Sequence, residues 1–424
     1  MKVLSLFDGM ACGMLAMMAA GVEVESYDAY EIDKYAVKTA THNFPMIEQH
    51  GDVFKEDFTK YDGVDFLVGG SPCTYWSIAQ TKNRETVASG LGWELFSQYV
   101  RALHEAKPKY FIYENNKSMS KEIRASIDEA FGFEAVCINS ALVSAQNRQR
   151  LYWVGKQNAD GTYSKVNVEQ PEDRGILLKD VLDGAAREKA HAVIASAGRT
   201  TEREFFLKNQ GNMAVEPVCC TEPRGAARRG EHERNQCWEI RGDEKSNAVI
   251  TGHQSRLVAD PVQVGRMPRE DGIVTDSKQY RVYDVDGKAV TQCGQGGGLG
   301  AKTGLYALPV EEPKCYAVPC EWDENGYPVK AVSCSDGKVY PVYKVENGQI
   351  TIKDKQYPIK LVDGYYIIRK LTVSECMRLQ TVPEWYDFSC VSNSQAYKML
   401  GNGWTVEVIA HLIRSAICGG ELLI

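Results

Sequence analysis

Cys73 stands at the end of Gly69-Gly70-Ser71-Pro72, directly after the apolar residues Val64, Phe66, Leu67 and Val68. An apolar run followed by small residues reads as a buried strand ending in a tight turn. Such a turn puts the thiol at the carboxyl edge of a sheet, where open α/β folds collect their ligands. A thiol there can be a nucleophile. Three carboxylates end comparable segments: Glu31 after Val22 to Tyr30, Asp52 after Gly51, and Glu114 after Tyr110-Phe111-Ile112-Tyr113. Glu31 lies 18 residues past Gly13, near the spacing at which βαβ folds place the acid that holds a nucleotide ribose.

The elements that position these groups alternate from Met1 to about Leu182, the pattern of a doubly wound sheet. Lys2 to Phe7 reads as a strand, Asp8 to Gly13 as a glycine-bearing turn, and Met14 to Ala20 as a helix closed by Gly21. Trp93 to Ala106 reads as a helix with Leu95, Tyr99 and Leu103 at i+4, ending before Pro108. Between Cys73 and that helix, Thr74 to Gly92 is polar and long enough to be a functional loop. Lys156 to Gly175 reads as an exposed hairpin around Asp160-Gly161, and Ile176 to Leu182 as a short helix finishing the first domain.

From about His191 the texture changes to Gly, Arg and short β-like runs. Ala248 to Thr251 and Ala289 to Thr291 open two similar units, ending at Arg256-Leu257-Val258 and Gly304-Leu305-Tyr306. Beyond Pro313, Asp336-Gly337, Asn347-Gly348 and Asp363-Gly364 are two-residue turn sequences between runs rich in Val, Ile and Tyr. Pro341 and Pro358 belong on edge strands. Leu371 to Gln380 and Ala396 to Ile417 return to helix, so the chain crosses back onto the first domain. The expected organisation is a domain of residues 1–185 completed by 370–424, and an insert at 191–368 with a β-hairpin subdomain at 313–368.

At 424 residues the chain has room for two or three domains. Its 13 cysteines are odd in number and irregularly spaced, which points to reduced thiols and a cytoplasmic protein. Cys219, Cys220 and Cys237, and Cys315, Cys320 and Cys334, lack paired C-x-x-C ligand sets, so no metal is expected. Met1 to Gly21 imitates a signal peptide, but Asp8-Gly9 cuts its apolar stretch. No run of 18 apolar residues suggests a membrane span. The net charge of −7 does not exclude nucleic acid, because a local basic face decides binding. Arg224, Arg228, Arg229, Arg234 and Arg241 form the densest arginine group, though interleaved with glutamates.

Taken in order, these segments resemble the DNA cytosine methyltransferases that modify carbon 5 of the base. The resemblance rests on Phe7-Asp8-Gly9 to Gly13, Glu31-Ile32-Asp33, Gly51-Asp52-Val53, Ser71-Pro72-Cys73, Tyr113-Glu114-Asn115, Gln146 to Arg150, Arg369 to Gln380, and Gly401-Asn402-Gly403. It covers roughly the first 155 and the last 55 residues. It implies a Rossmann-like, S-adenosylmethionine-dependent α/β domain carrying an inserted, mainly β target-recognition domain.

The resemblance also implies roles. Cys73 would add to carbon 6 of a flipped-out cytosine, making carbon 5 nucleophilic. Glu114 would protonate N3, while Arg148 and Arg150, on one face of an extended segment, would bind the base carbonyl and a phosphate. Phe7 would stack on adenine, with Ile32, Val53 and Pro72 beside the cofactor. The turn from Asp8 and Gly9 to Gly13 would let backbone amides approach it. Glu31 would take the ribose hydroxyls, Asp52 the adenine amino group, and Leu95, Asn402 and Gly403 would close the pocket. Arg224, Arg228, Arg229 and Arg256 are the candidates for contacts to double-stranded DNA, and a restriction endonuclease acting on the same site is a candidate partner.

The chain departs from the family pattern at Thr74, Ala11, Asn116 and Gly403-Trp404. Ala11 for glycine reads as a small steric change. Competing readings are an RNA-directed relative, a catalytically silent DNA binder, and a nicotinamide-dependent dehydrogenase suggested by the first βαβ unit alone.

Overall fold

The computed structural model describes residues 1–77, 84–181 and 371–418, together with strands and short connections between 221 and 369. Its first sheet runs β3-β2-β1-β4-β5-β7-β6. These strands are β1 (Lys2–Leu6), β2 (Ser26–Tyr30), β3 (Glu48–Gln49), β4 (Phe66–Gly69), β5 (Tyr110–Asn116), β6 (Val136–Asn139) and β7 (Gln149–Gln157). From β3 across to β5 every pairing is parallel. β7 lies antiparallel between β5 and β6. It turns at Asp160-Gly161 into β8 (Tyr163–Lys165), the expected exposed hairpin. The antiparallel insertion departs from the all-parallel 3-2-1-4-5-6 order of dinucleotide-binding sheets.

Two apolar layers cover the sheet. One packs α1 (Cys12–Ala19) and α2 (Lys34–Asn43) with the C-terminal helices α5 (Val373–Leu379), α6 (Asn393–Asn402) and α7 (Val406–Cys418). The other packs α3 (Gly90–Ala106) and α4 (Lys121–Phe131). Because the connections change face between β1 and β4, a crevice opens at the carboxyl ends of these neighbouring strands.

Local chemistry explains most boundaries. Ser120 caps α4 by accepting the Ile123 N–H at 3.1 Å, and Gly132, at φ +80°, ends it. Thr372 and Glu375 form a reciprocal capping box at α5. The buried stripe of α3 is Phe96, Tyr99, Leu103 and Ala106, which leaves Leu95 half-buried. The expected continuous helix from Ala396 is two helices, broken at Gly403-Trp404-Thr405. The expected helix at Ile176 to Leu182 is only one 3-10 turn, Leu178–Asp180. Arg174 donates its N–H to the Leu142 carbonyl and Gly175 takes φ +63°, so the approaching backbone is already committed to a non-helical path.

Between 221 and 369 the described elements are all strands. β9 (Thr221–Arg224) pairs with β10 (Cys237–Ile240). A second sheet runs β11 (Gln263–Arg266), β12 (Arg281–Asp284), β13, β19, β16, β15 and β14 (Cys320–Trp322), with β17 attached to β16 and β18 to β17. Its core strands are β13 (Leu305–Val310), β16 (Val339–Glu346) and β19 (Gly364–Arg369). Asn347 (φ +52°) and Gly348 (φ +70°) turn β16 into β17 (Gln349–Ile352), as their sequence predicts.

Pro358 lies on β18 (Lys355–Pro358), whose ladder partner is β17. Pro341 is not on an edge strand. It sits in β16 where pairing changes from β15 (Pro328–Val332) to β19, so its missing N–H falls at the changeover. Residues 248–251, 256–258 and 289–291, and the turns Asp336-Gly337 and Asp363, lie outside the described residues.

Candidate active site

The carboxyl ends of β1 and β2 are joined by one carboxylate. Glu31 accepts the Gly9 N–H (2.9 Å) on one oxygen and the N–H groups of Ile32 and Asp33 (both 2.8 Å) on the other. Phe7, Gly9 and Ala11 all have left-handed backbone, with φ of +58°, +62° and +61°. For Phe7 and Ala11 this conformation is unfavourable, and such outliers collect at functional sites. Ala11 therefore differs from glycine in the cost of this left-handed backbone, which outweighs the small steric change expected of it. Gly13 has no room for a side chain, since a Cβ would meet the Tyr27 hydroxyl and Val68. Beside the loop Ile32 is 78% exposed, an apolar side chain at the lip of the crevice.

Asp8 points the other way, into the protein. It accepts hydrogen bonds from Ser5 Oγ (2.6 Å) and Tyr27 Oη (2.7 Å) on one oxygen, and its other oxygen is buried without a partner. Burial pushes its carboxyl up to about 6, against those two hydrogen bonds. Burial also pushes the Cys12 thiol up to about 12, away from the thiolate form that attacks. Two residues before Asp52, His50 bonds Asp28 (2.7 Å) and stacks on Tyr30. Asp52 caps a 3-10 turn through the Phe54 N–H, with Val53 buried behind it.

Cys73 opens a 3-10 turn, Cys73–Tyr75, after β4. That turn is tied to β5: Asn115 Nδ2 donates to the Ser71 carbonyl (3.2 Å), and the buried Ser71 and Tyr113 hydroxyls meet at 2.6 Å. Pro72 is exposed between them. A Cβ at Gly70 would lie 2.8 Å from the Glu114 carbonyl and 2.9 Å from its Oε2, so only glycine lets the two strand ends approach.

Glu114 and Arg150 are diagonal neighbours on the β5–β7 ladder, where Glu114 opposes Tyr152 and Asn116 opposes Arg150. Arg150 Nε lies 3.0 Å from Glu114 Oε1, and Trp404 Nε1 donates to Oε2 at 3.1 Å. Arg148 takes a different path. It is 3% exposed, and its guanidinium bonds the carbonyls of Gly401 (3.2 Å) and Gly403 (2.9 Å). Gln380 bonds the Leu400 and Gly403 carbonyls and accepts from Thr405. The crossing-back segment with Asn402 and Gly403 is thus fixed against the first domain.

The expected loop from Thr74 to Gly92 is anchored on both sides of residues 78–83, which lie outside the described residues. Trp76 is fully buried and donates its indole N–H to Glu85 (3.0 Å), while Glu85 accepts the Gly92 N–H (3.1 Å) at the start of α3. Arg84 bonds the carbonyls of Trp76 and Ser118.

Sequence reading missed Trp404, noted only as a departure, and the Trp76–Glu85 pair. The side chains of Arg224, Arg228, Arg229 and Arg256 lie outside what the structure describes.

A family profile described as C-5 cytosine-specific DNA methylase matches residues 1–418. The chain belongs to that family. The methylase is 27% identical over 522 aligned positions to the orphan methyltransferase M.Rho11sI of Bacillus phage rho11s, covering 98% of both chains. It is 26% identical to the orphan methyltransferase M.SPRI of Bacillus phage SPR, covering 98% of this chain and 97% of that one. A solved DNMT2 mutant of Spodoptera frugiperda shares the fold, with a TM-score of 0.51 at 15% identity over 98% of this chain and 99% of the other.

The protein is therefore a DNA (cytosine-5)-methyltransferase with a Rossmann-like domain and a mainly β insert, in a family that generally uses S-adenosylmethionine. The dehydrogenase reading falls. Among the described residues no helix is long and apolar enough to cross a membrane.

Proposed function

We propose that this methylase modifies cytosine within a specific double-stranded DNA sequence through a covalent adduct of Cys73 to carbon 6 of a flipped-out base. The observation that carries the reading is the juxtaposition at one sheet edge of the Cys73 turn, the Glu114–Arg150 pair and the glycine turn held by Glu31. A base must leave the duplex before any side chain can reach carbon 6. The Cys73 thiolate then forms the sulfur–carbon bond while Glu114 gives a proton to N3, and the electron pair moves toward carbon 5. S-adenosylmethionine, when bound, would supply an electrophilic methyl group on a sulfonium centre whose leaving group is the neutral thioether. Loss of the carbon 5 proton to a base expels the thiolate, and N3 returns its proton to Glu114, which restores the ring.

The residues present suit that donor. Glu31 offers a fixed carboxylate for the ribose, Phe7 and Ile32 offer apolar surface for adenine, and Asp52 and Val53 flank it. Pro72, Leu95, Asn402 and Gly403 bound the remaining sides, and Asp8 supports the loop from below. Arg150 is the arginine available to substrate. Arg148 acts by holding the carbonyls of Gly401 and Gly403. Residues 191–368 read the target sequence, with Arg224, Arg228, Arg229 and Arg256 touching DNA. The orphan designation of both phage relatives favours action without a partner endonuclease.

Cys73→Ser should abolish methyl transfer yet keep the fold and cofactor binding, because a hydroxyl is a far weaker nucleophile at neutral pH. Wild-type protein should form a denaturation-resistant adduct with DNA carrying 5-fluorocytosine at the target position, where fluorine blocks the release step. No adduct under conditions that support turnover would refute the covalent route. Methylation-sensitive sequencing of DNA from expressing cells identifies the target.

A further inference from the structure

Trp404 follows Asn402-Gly403 directly, yet its indole reaches across the crevice to β5 and donates to Glu114 Oε2 at 3.1 Å. On the other side Arg150 Nε meets Oε1 at 3.0 Å. An indole N–H and a guanidinium can only donate, so each claims one carboxyl oxygen. The terminal torsion of a glutamate is broad. One donor alone lets the carboxyl plane rock, whereas two donors on opposite oxygens fix it. Each oxygen keeps a further lone pair for the proton to be delivered.

The indole is itself held. Before it, the Gly403 carbonyl is bonded by Arg148 and Gln380. After it, Thr405 Oγ1 bonds Gln380 Oε1 (2.9 Å) and the Ser140 hydroxyl (2.8 Å). Trp404 cannot move without disturbing these contacts, and Gly70 leaves just enough space for Oε2 where the indole meets it. We propose that Trp404 is a positioning residue that orients the Glu114 carboxyl, so that the segment bounding the donor pocket also sets the acid. This rests on the reading of Glu114 as the acid.

The test uses Trp404→Phe and Glu114→Gln, singly and together, in the full chain with target DNA. Trp404→Phe should lower the single-turnover rate roughly 10-fold to 100-fold, the scale of one hydrogen bond to a charged group. Cofactor affinity should be unchanged. In the Glu114→Gln background it should cost nothing further, because the group it orients has lost its acid function. Independent losses that multiply in the double variant, or a collapse of cofactor binding in Trp404→Phe, would overturn the proposal.

A second measurement needs no turnover. With 15N-labelled tryptophan, the Trp404 indole resonance, identified by its absence from Trp404→Phe, should shift in Glu114→Gln. An unmoved resonance overturns the contact. A shifted resonance in a protein that transfers no methyl group supports the contact and counts against the functional reading instead.

Discussion

Glutamine at position 114 would keep the length of the side chain but would have no acidic proton to give to a ring nitrogen. Methyl transfer by Glu114→Gln should fall by about 100-fold to 10,000-fold, the range for a lost acid catalyst. Cofactor affinity, measured by calorimetry, should stay at the wild-type value, because the proposed function assigns the donor side to Glu31 and Asp52. Loss of both together would mean that Glu114 has another role. Asp8 makes a separate prediction. The native protein holds its proton up to about pH 6, whereas the unfolded chain releases it near 3.8. Asp8 thus leaves stability intact below about pH 4 and removes it as pH rises to about 6, by ~3 kcal/mol in order of magnitude. In urea melts, the stability of Asp8→Asn relative to wild type should rise over that window and level off above about pH 7. A difference that ignores pH would show that Asp8 does not titrate there.

The glycine turn shows where an element carries strain. α1 begins behind an alanine held in left-handed backbone, which costs an L-residue roughly 1–2 kcal/mol. Ala11→Gly relieves that cost and loses part of it again to the entropy of the unfolded chain. A net gain of up to about 1 kcal/mol is expected in chemical denaturation. A loss would show that the methyl group packs better than the backbone suffers. The ends of β4 and β5 were legible because each closes an apolar run with a polar or small residue, so Cys73 and Glu114 could be named, while Glu31 followed from its spacing after Gly13. The break between α6 and α7 was not, since Gly403-Trp404-Thr405 sits inside an otherwise helical period and is stabilised by Arg148 and Gln380. The Trp404–Glu114 bond spans 290 residues of sequence. No local pattern can announce such a contact. Likewise the pairing of Trp76 with Glu85 depends on how α3 docks, so the polar stretch from Thr74 to Gly92 reads as a functional loop without its anchors.

At the scale of the whole molecule, the proposed function gives motif residues and insert separable duties. Exchanging residues 191–368 for the matching stretch of a relative should change the methylated sequence and leave 5-methylcytosine as the product, because base-edge contacts specify while phosphate contacts position. Bisulfite sequencing reads both outcomes, and a chimaera that kept the original target would place specificity in the methylase domain. The return of α5, α6 and α7 to the first sheet has another consequence, for the newly made chain. Residues 182 to 370, about 190 of them, separate the first domain from the helices that cover one of its faces. At ordinary rates of synthesis that interval lasts roughly 10–40 s. Throughout it, Met14, Leu15 and Met17 of α1 lack their α7 neighbours while the ribosome is still at work, so the nascent protein has an adhesive surface that chaperones are suited to shield.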